Sequence, residues 1–287
     1  PPELEGVTPP LPAAPPTFPL QLELIPPEPP QGEVFVVAVH PGSEGPVTTI
    51  SGMFGPSNRR RPVRFAPAGR RWVGLGPTSY YLRPGRYPLD LKVVSGEREE
   101  SYRLQVEVAS RDFPTQHLQV SASTASKKTR EKAAEDWRKI CAAKANSHNE
   151  ALWYRPFTAP LEGRLSSEFG LVRYVNGRLS GRHSGIDVAV PAGTPVHAAN
   201  AGYVVLSECL HIGGCTIILD HGVNVFSSYS HLSKRLGEVG DYVEHGEKIG
   251  EVGSTGFSTG PHLHWSMTIG ITPTDPRKFL SRDSDIA

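Results

Sequence analysis

The sequence has almost no charge imbalance, little sulfur and no long hydrophobic run. Lysine and arginine number 30 and aspartate and glutamate 29, so the formal net charge is +1. Total charge therefore gives no indication of binding to nucleic acid or to an anionic membrane surface. No apolar run approaches the roughly 20 residues that cross a bilayer, so we expect no membrane span.

Only three cysteines are present. Cys209 and Cys215 bracket a short loop between two strand-like runs. They either close a disulfide in an oxidising compartment or remain two small free hydrophobic residues. Cys141 lies in a segment with helical character, and we expect it to be unpaired.

Proline is concentrated at the start, where it occupies twelve of the first thirty positions. Residues 1–20 are therefore predicted to be an extended Pro-rich arm. Short β-rich runs separated by Gly and Pro turns follow in residues 21–110, a pattern typical of an immunoglobulin-like β-sandwich. The predicted strands are Glu33–Val39, Val47–Phe54, Arg71–Leu75, Leu89–Val94 and Tyr102–Val108.

Residues 111–152 are predicted to be a linker that contains a helix. Residues 111–126 are polar and irregular, whereas Lys127–Ala145 is rich in strong helix formers. Trp137, Ile140 and Cys141 can share one helical face, which predicts docking on one of the two flanking domains. Short strands and Gly-rich turns return in residues 153–287, so the predicted fold class is mostly β.

An arginine-rich stretch in the first domain admits two interpretations. It is either a solvated sheet face or a surface that contacts anionic envelope polymer. Its members are Arg59, Arg60, Arg61, Arg64, Arg70 and Arg71, followed by Arg83 and Arg86.

The last third of the chain contains the residues with the clearest chemistry. His183 and Asp187 flank Ser-Gly-Ile, and His262 and His264 are separated by one leucine. In a strand, residues two apart share a face, so His262 and His264 are expected to enter one groove. Gly185 allows a kink that turns His183 and Asp187 towards one ion. Two histidines and a carboxylate form a common catalytic zinc site, and metal-assisted hydrolysis follows as the predicted chemistry.

A longer set of motifs resembles the lysostaphin-type (LytM-like) zinc metallopeptidases, also called the duplicated-hybrid-motif peptidases. The resemblance covers about residues 156–280. The segments that carry it are Ser167-Glu-Phe-Gly170, His183-Ser-Gly-Ile-Asp187, Asp220-His221-Gly222, Tyr229-Ser-His231-Leu-Ser233 and Gly260-Pro-His262-Leu-His264. The resemblance implies that residues 153–287 form an all-β peptidase domain.

The resemblance also implies a role for each motif residue. His183, Asp187 and His264 are the expected ligands of one zinc ion per chain. His231 and His262 are the expected catalytic pair, and the sequence does not decide which of them is the general base. Tyr174 and Thr255 are carried over as substrate-contacting residues. His221 is expected to be structural.

The predicted function is hydrolysis of peptide bonds in bacterial peptidoglycan stems or cross-links. The alternatives are a LytM-like regulator that binds and activates a cell-wall amidase, and a general secreted metalloprotease. The thermolysin-like HExxH motif is absent, so histidine must move the protons. We expect a monomeric protein that is secreted or located in the periplasm or cell envelope, with peptidoglycan as its partner and no nucleic acid.

Overall fold

A computed structural model describes residues 20–42, 47–153 and 155–280. Strands dominate these residues, which confirms the predicted mostly β class. The predicted Pro-rich arm lies outside the described residues except for Leu20. Among the helices of the described ranges, none is both long enough and apolar enough to cross a membrane.

The first seven strands form one continuous antiparallel path, in the order β1-β2-β5-β4-β3-β6-β7. Their bounds are β1 Leu20–Ile25, β2 Val34–Pro41, β3 Thr49–Phe54, β4 Arg61–Ala68, β5 Arg71–Pro77, β6 Gly85–Ser95 and β7 Arg98–Val108. The first half of β4 pairs with β3 and its second half pairs with β5. The path therefore folds over at β4 into two facing halves.

Apolar side chains from both halves fill the space between them. Phe35 of β2 and Phe54 of β3 meet edge to face with ring centroids 4.8 Å apart, although their strands are not neighbours in the sheet. Leu89 and Val106, on the opposite half from Phe35, belong to the same buried cluster. Strands β1, β2, β5 and β4 face strands β3, β6 and β7, and a seven-stranded immunoglobulin sandwich has the same order. This order favours the immunoglobulin-like fold, which stays a prediction.

All five strands predicted in the first domain are present, but β1 and β4 were not identified from the sequence. Strand β4 lies within the arginine-rich stretch, where Arg61, Arg64 and two prolines obscure its alternation. Its inward positions, Val63 and Phe65, are nevertheless buried. Burial of every second residue is what defines a half-exposed strand.

The linker has more regular structure than the sequence indicated. The prediction of an irregular segment at 111–126 is wrong, because it contains β8 (Thr115–Leu118) and the short helix α1 (Ala122–Ala125). Helix α2 (Arg130–Ala143) confirms the predicted helix and begins after Thr129, whose side chain accepts a hydrogen bond from the Lys132 N–H. Strand β8 pairs in parallel with β10 (Val172–Val175) and so joins the C-terminal part of the chain.

Helix α2 docks on the C-terminal sheet through a face that differs from the predicted one. The Asp136 carboxylate is buried and accepts hydrogen bonds from the N–H groups of His211 (3.0 Å) and Ile212 (2.7 Å). Ile140 packs against the sheet nearby. Trp137 is 50% exposed, so it does not belong to the docked face. His211 and Ile212 lie in a turn whose N–H groups need an acceptor, and this explains the acidic residue on the docked face.

The C-terminal part of the chain is built on a ten-stranded sheet whose main path is β17-β14-β15-β16-β19-β12-β9. Its remaining strands are β13, β18 and β20, and a small separate sheet has the order β11-β10-β8. The bounds are β9 Arg164–Ser167, β11 Arg178–Arg182, β12 Ile186–Ala189, β13 Pro195–His197, β14 Gly202–Leu210, β15 Gly214–Asp220, β16 Val225–Arg235, β17 Tyr242–Val243, β18 Lys248–Val252, β19 Leu263–Ile269 and β20 Thr272–Thr274.

One hydrophobic cluster connects the sandwich to this sheet. Val36 and Leu75 of the sandwich belong to the same buried cluster as Phe169 and Trp265. The Arg111 guanidinium reinforces the junction by donating to the Asp275 carboxylate at 2.7 Å. The predicted boundaries at 110 and 152 stay a prediction, although the linker packs on the C-terminal sheet along β8 and α2.

Candidate metal centre

Three potential ligand atoms meet at one point of the C-terminal sheet. His183 Nε2 lies 2.9 Å from Asp187 Oδ1 and 3.0 Å from His264 Nδ1. His264 Nδ1 lies 2.8 Å from the same Asp187 oxygen. Four tetrahedral ligands at zinc's bond lengths of roughly 2.0–2.1 Å are about 3.3 Å apart, so small outward movements of these atoms would admit the ion.

Strand pairing places two of the three residues. Asp187 on β12 and His264 on β19 are direct cross-strand partners, and such side chains lie on the same face of a sheet. His183 precedes β12 and is fixed by its backbone N–H, which donates to the Leu171 carbonyl at 2.9 Å. A Cβ on Gly185 would lie 2.3 Å from the Trp265 carbonyl oxygen. The glycine therefore permits close packing on β19, and its φ is not positive.

The protonation of these groups fits a cation. Burial lowers the pKa of His183 to about 4, so the ring is neutral near pH 7. Its single proton lies on Nδ1, which donates to the Glu168 carbonyl at 2.7 Å and leaves a lone pair on Nε2. Burial alone would raise the pKa of Asp187, but its contacts with His183 and His264 hold that pKa far below the usual range.

At most one proton, on His264 Nδ1, is therefore available to the three facing atoms. One proton cannot satisfy a carboxylate oxygen and two ring nitrogens that all approach one another within 3.0 Å. A divalent ion would satisfy all three at once, and this nitrogen–nitrogen–oxygen set suits zinc.

A guanidinium group holds the second oxygen of the aspartate. Arg173 Nη2 donates to Asp187 Oδ2 at 2.7 Å and to Ser167 Oγ at 2.8 Å. Arg173 Nε donates to Gln116 Oε1 at 2.8 Å, so a residue of linker strand β8 helps to orient the group. The arrangement leaves Asp187 Oδ1 directed at the two histidines. Sequence reasoning missed Arg173 and Gln116, since neither belongs to a histidine or carboxylate motif.

Arg173→Leu is expected to weaken zinc binding by about tenfold to a hundredfold, because it removes the group that orients a ligand carboxylate. Competition with a chromophoric zinc chelator measures the effect. Arg178→Leu is the matched control, because Arg178 is exposed on the neighbouring strand β11. Equal zinc affinity in Arg173→Leu and Arg178→Leu would show that the guanidinium has no role in holding Asp187.

Two further histidines lie beside the three donors. His262 Nδ1 donates to the Gly260 carbonyl at 2.8 Å, and His262 Nε2 lies 3.9 Å from Asp187 Oδ1. His231 Nδ1 donates to the Thr255 carbonyl at 2.8 Å, and its ring centroid is 4.7 Å from that of His262. When neutral, each ring therefore has its proton on Nδ1 and can accept another at Nε2.

The backbone of His231 is strained. Its φ is +65°, in the left-handed region that non-glycine residues rarely adopt. Ser230 and His231 both line the same cavity, which the alternation of a regular strand forbids. The positive φ reverses that alternation, and the His231 N–H is held by the Gly213 carbonyl at 2.8 Å. Strain of this kind is common at functional sites.

The other predicted residues have different surroundings. The Thr255 hydroxyl donates to the Leu232 carbonyl at 2.8 Å and accepts from the Cys215 N–H at 2.9 Å, so in this structure Thr255 positions His231. Tyr174 stacks on His117 with ring centroids 5.1 Å apart. The substrate contacts predicted for Thr255 and Tyr174 stay predictions.

His221 has the surroundings of a structural residue, in line with its predicted role. It is fully buried, and both ring nitrogens are used, by the Ala201 carbonyl and the Ser227 hydroxyl at 2.7 Å each. It therefore has no ring nitrogen to offer to an ion or to a substrate.

The structure decides whether Cys209 and Cys215 are free or bonded, which the sequence left open. Cys209 and Cys215 are cross-strand partners on β14 and β15 and form a disulfide. Cys141 of α2 is a free thiol, as expected. The disulfide closes the turn whose N–H groups hydrogen-bond to Asp136.

Comparison with known proteins gives consistent matches. The sequence profile of peptidase family M23 matches residues 181–276. Peptidoglycan DD-endopeptidase ShyA of Vibrio cholerae is 38% identical over 96 residues, which are 33% of this chain and 22% of ShyA. Lysostaphin of Staphylococcus simulans is 40% identical over 119 residues, which are 39% of this chain and 24% of lysostaphin.

One similar solved structure extends over both parts of the chain. A crystal structure described as a peptidase M23 from Pseudomonas aeruginosa is 29% identical with a TM-score of 0.64, and the match covers 89% of this chain and 95% of that one. The matches to the two curated relatives are shorter, and this chain spans less than a quarter of the length of ShyA or of lysostaphin.

Proposed function

Because this chain belongs to peptidase family M23, we propose that it is a zinc-dependent endopeptidase that hydrolyses peptide bonds in bacterial peptidoglycan stems or cross-links. One observation carries the proposal. His183, Asp187 and His264 present three ligand atoms within 3.0 Å of one another, beside two histidines that are free to accept protons at Nε2. One zinc ion per chain is the expected cofactor.

The proposed chemistry divides the work between the ion and the histidines. Zinc bound to His183, Asp187 and His264 would polarise the substrate carbonyl and lower the pKa of water. His262 is the better-placed general base, because its Nε2 lies 3.9 Å from Asp187 Oδ1. It accepts the proton of the attacking water and returns it to the leaving amine nitrogen, so that the proton count balances.

His231 acts on the same reaction from the other side. Its ring is 6.1 Å from His264 and 4.7 Å from His262, measured between centroids. Burial lowers the pKa of His231 to about 3, so the ring is neutral near pH 7 and Nε2 carries a lone pair. At Nε2 it can accept a hydrogen bond from the attacking water and so orient that water beside His262. The Thr255 carbonyl fixes the ring in position and so removes a reorganisation step.

The ligand set favours this role over that of a regulator, and the disulfide bears on the location of the protein. A regulator that only binds an amidase has no need of three converging ligands with an arginine behind the carboxylate. The Cys209–Cys215 disulfide supports a secreted, periplasmic or envelope location, because disulfides persist in oxidising compartments. Peptidoglycan is the polymer that such a protein would meet there, and the relative ShyA is named a peptidoglycan DD-endopeptidase.

Dye release from labelled, purified sacculi tests the proposal against both alternatives. The protein is assayed as purified, after chelation, and after zinc is restored, with casein and elastin as parallel substrates. We expect dye release from sacculi that the chelator abolishes and zinc restores. The far-UV circular dichroism of the protein should show that the sandwich stays folded without the metal. Equal cleavage of casein and sacculi would favour a general protease, and zinc-loaded protein that leaves sacculi intact would favour a regulator.

A further inference from the structure

A cavity of about 330 Å³ extends from the metal centre along the underside of helix α2. His183 and His264 lie at one end, and Lys144, which directly follows α2, lies at the other. Ile140 of α2 and the half-exposed Trp137 also line the cavity. We call this space the helix-covered cavity. Anything bound at the metal centre can extend into it.

The sheet side of the helix-covered cavity carries a row of hydroxyl groups. Four of the lining residues on β16 and β19 supply them, namely Ser228, Ser230, Ser266 and Thr268. Ser228 lies opposite Ser266 in the pairing of β16 with β19, and Ser230 lies opposite His264. This row of hydroxyl groups suits a peptide, whose amide groups need partners when they leave water.

The end of the cavity far from the metal centre contains a buried lysine, Lys144. Its side chain is buried, and its Nζ donates to Thr268 Oγ1 at 2.8 Å and lies 5.5 Å from the Phe226 ring centroid. Within the part of the chain that the structure describes, no carboxylate oxygen lies within 4.0 Å of Nζ. Burial lowers the pKa of the Lys144 ammonium to about 7, because no carboxylate offsets the loss of hydration.

The other charged groups of the cavity do not neutralise Lys144. Asp136 lines the same space, but its two oxygens accept from the N–H groups of His211 and Ile212. The remaining charged residues towards the metal end are cations, namely Lys128, Arg173 and Arg182. A buried cation with no countercharge is unfavourable, and an anionic ligand would remove that penalty.

We propose that the helix-covered cavity is a substrate subsite in which Lys144 binds a carboxylate of the peptide being cut, an inference that rests on the proposed function. Thr268 follows His264 by four residues on β19. Four residues of strand extend about 13 Å, so the bound carboxylate lies some three to four peptide units from the scissile bond. Lys144 thereby selects acidic over amidated peptides.

Binding of two matched peptides tests the subsite. The probes are a stem tetrapeptide isolated from sacculi and the same peptide with every carboxylate converted to a carboxamide, each titrated calorimetrically into the protein after chelation of its metal, so that neither hydrolysis nor a carboxylate–zinc bond contributes. We expect the acid to bind about tenfold to a hundredfold more tightly than the amide, the usual range for a hydrogen-bonded buried charge. Lys144→Met is expected to bind the two peptides equally.

Lys139→Met is the matched control, because Lys139 lies on α2 close to Lys144 in sequence but is 39% exposed and paired with Glu208. It should keep the full preference for the acid. Lys144→Met should keep or raise the melting temperature, because it removes a buried charge and preserves volume. A preference that survives in Lys144→Met, or that is absent from the wild type, overturns the subsite.

The two proposals fail in different ways. Wild-type protein that digests sacculi but binds acid and amide equally overturns the subsite and leaves the endopeptidase in place. A Lys144-dependent preference in a protein that leaves sacculi intact supports the subsite and contradicts the proposed activity.

Discussion

His264→Ala is expected to bind no zinc after dialysis and to release no dye from sacculi above background, a loss of at least about a thousandfold. The substitution removes one of three protein ligands and leaves His183 Nε2 and Asp187 Oδ1 as the only donors at 2.9 Å. Because binding of the ion needs all its ligands placed together, two donors hold it far more weakly. Elemental analysis of the dialysed protein measures the loss directly.

His40→Ala is the control for this substitution. His40 lies on the sandwich strand β2, and its side chain is 40% exposed, so its removal should leave zinc content and activity unchanged. Full zinc occupancy in His264→Ala would contradict the ligand assignment. It would direct attention to His262, whose Nε2 lies 3.9 Å from Asp187 Oδ1.

His231→Ala is expected to keep its zinc and lose turnover by about a hundredfold to ten-thousandfold, the usual range for a proton-transfer group. Its Nδ1 is hydrogen-bonded to the Thr255 carbonyl and not to any of the three ligands. Loss of the ring therefore leaves the ligand set in place. Steady-state hydrolysis of a labelled cross-linked peptide, with zinc content determined on the same sample, separates the two effects.

His231→Gly is the companion variant, because glycine adopts the φ of +65° at this position without strain. It removes the same ring and relaxes the backbone, so it should be as inactive as His231→Ala and at least as stable. If either variant lost its zinc, His231 would have to be a ligand or a support of one. If both kept full turnover, the catalytic assignment of His231 would be wrong.

The part of the site that the sequence predicts best is the part with local spacing. His262 immediately precedes β19 and His264 lies on it, and both approach Asp187 Oδ1, at 3.9 Å and 2.8 Å. Strand periodicity alone predicts that shared face. The pairing of His264 with Asp187 is long-range, and it was expected only through the resemblance to a known family.

The supporting residues could not be found in this way. Gln116 reaches Arg173 only because β8 adds to β10 as a parallel strand, and the segment Thr-Gln-His-Leu has no apolar alternation of its own. Its strand conformation is imposed by its partner, since the fit to a sheet depends on neighbours more than on intrinsic preference. Helix α2 was predictable from its composition, but not its docked face, because Asp136 is buried by N–H groups 75 residues further along the chain.

Lys144 likewise could not be identified as a site residue from the sequence. In the sequence it is one more lysine at the end of a charged helix, where a basic residue is ordinary. Only the fold places it against Phe226 and Thr268, with no carboxylate within 4.0 Å among the described residues, and so makes its charge notable. A site composed of residues from a linker helix and two strands carries no local signature.

Mass spectrometry of the fragments released from purified sacculi by the zinc-loaded protein tests the central claim most directly. The account predicts that cross-linked muropeptide dimers become shorter peptides, with one water added and one new free amine for each bond cut, and with the glycan chains intact. Intact dimers after exhaustive digestion by protein that carries about one zinc per chain would contradict the endopeptidase, and cleavage confined to the glycan would contradict it equally.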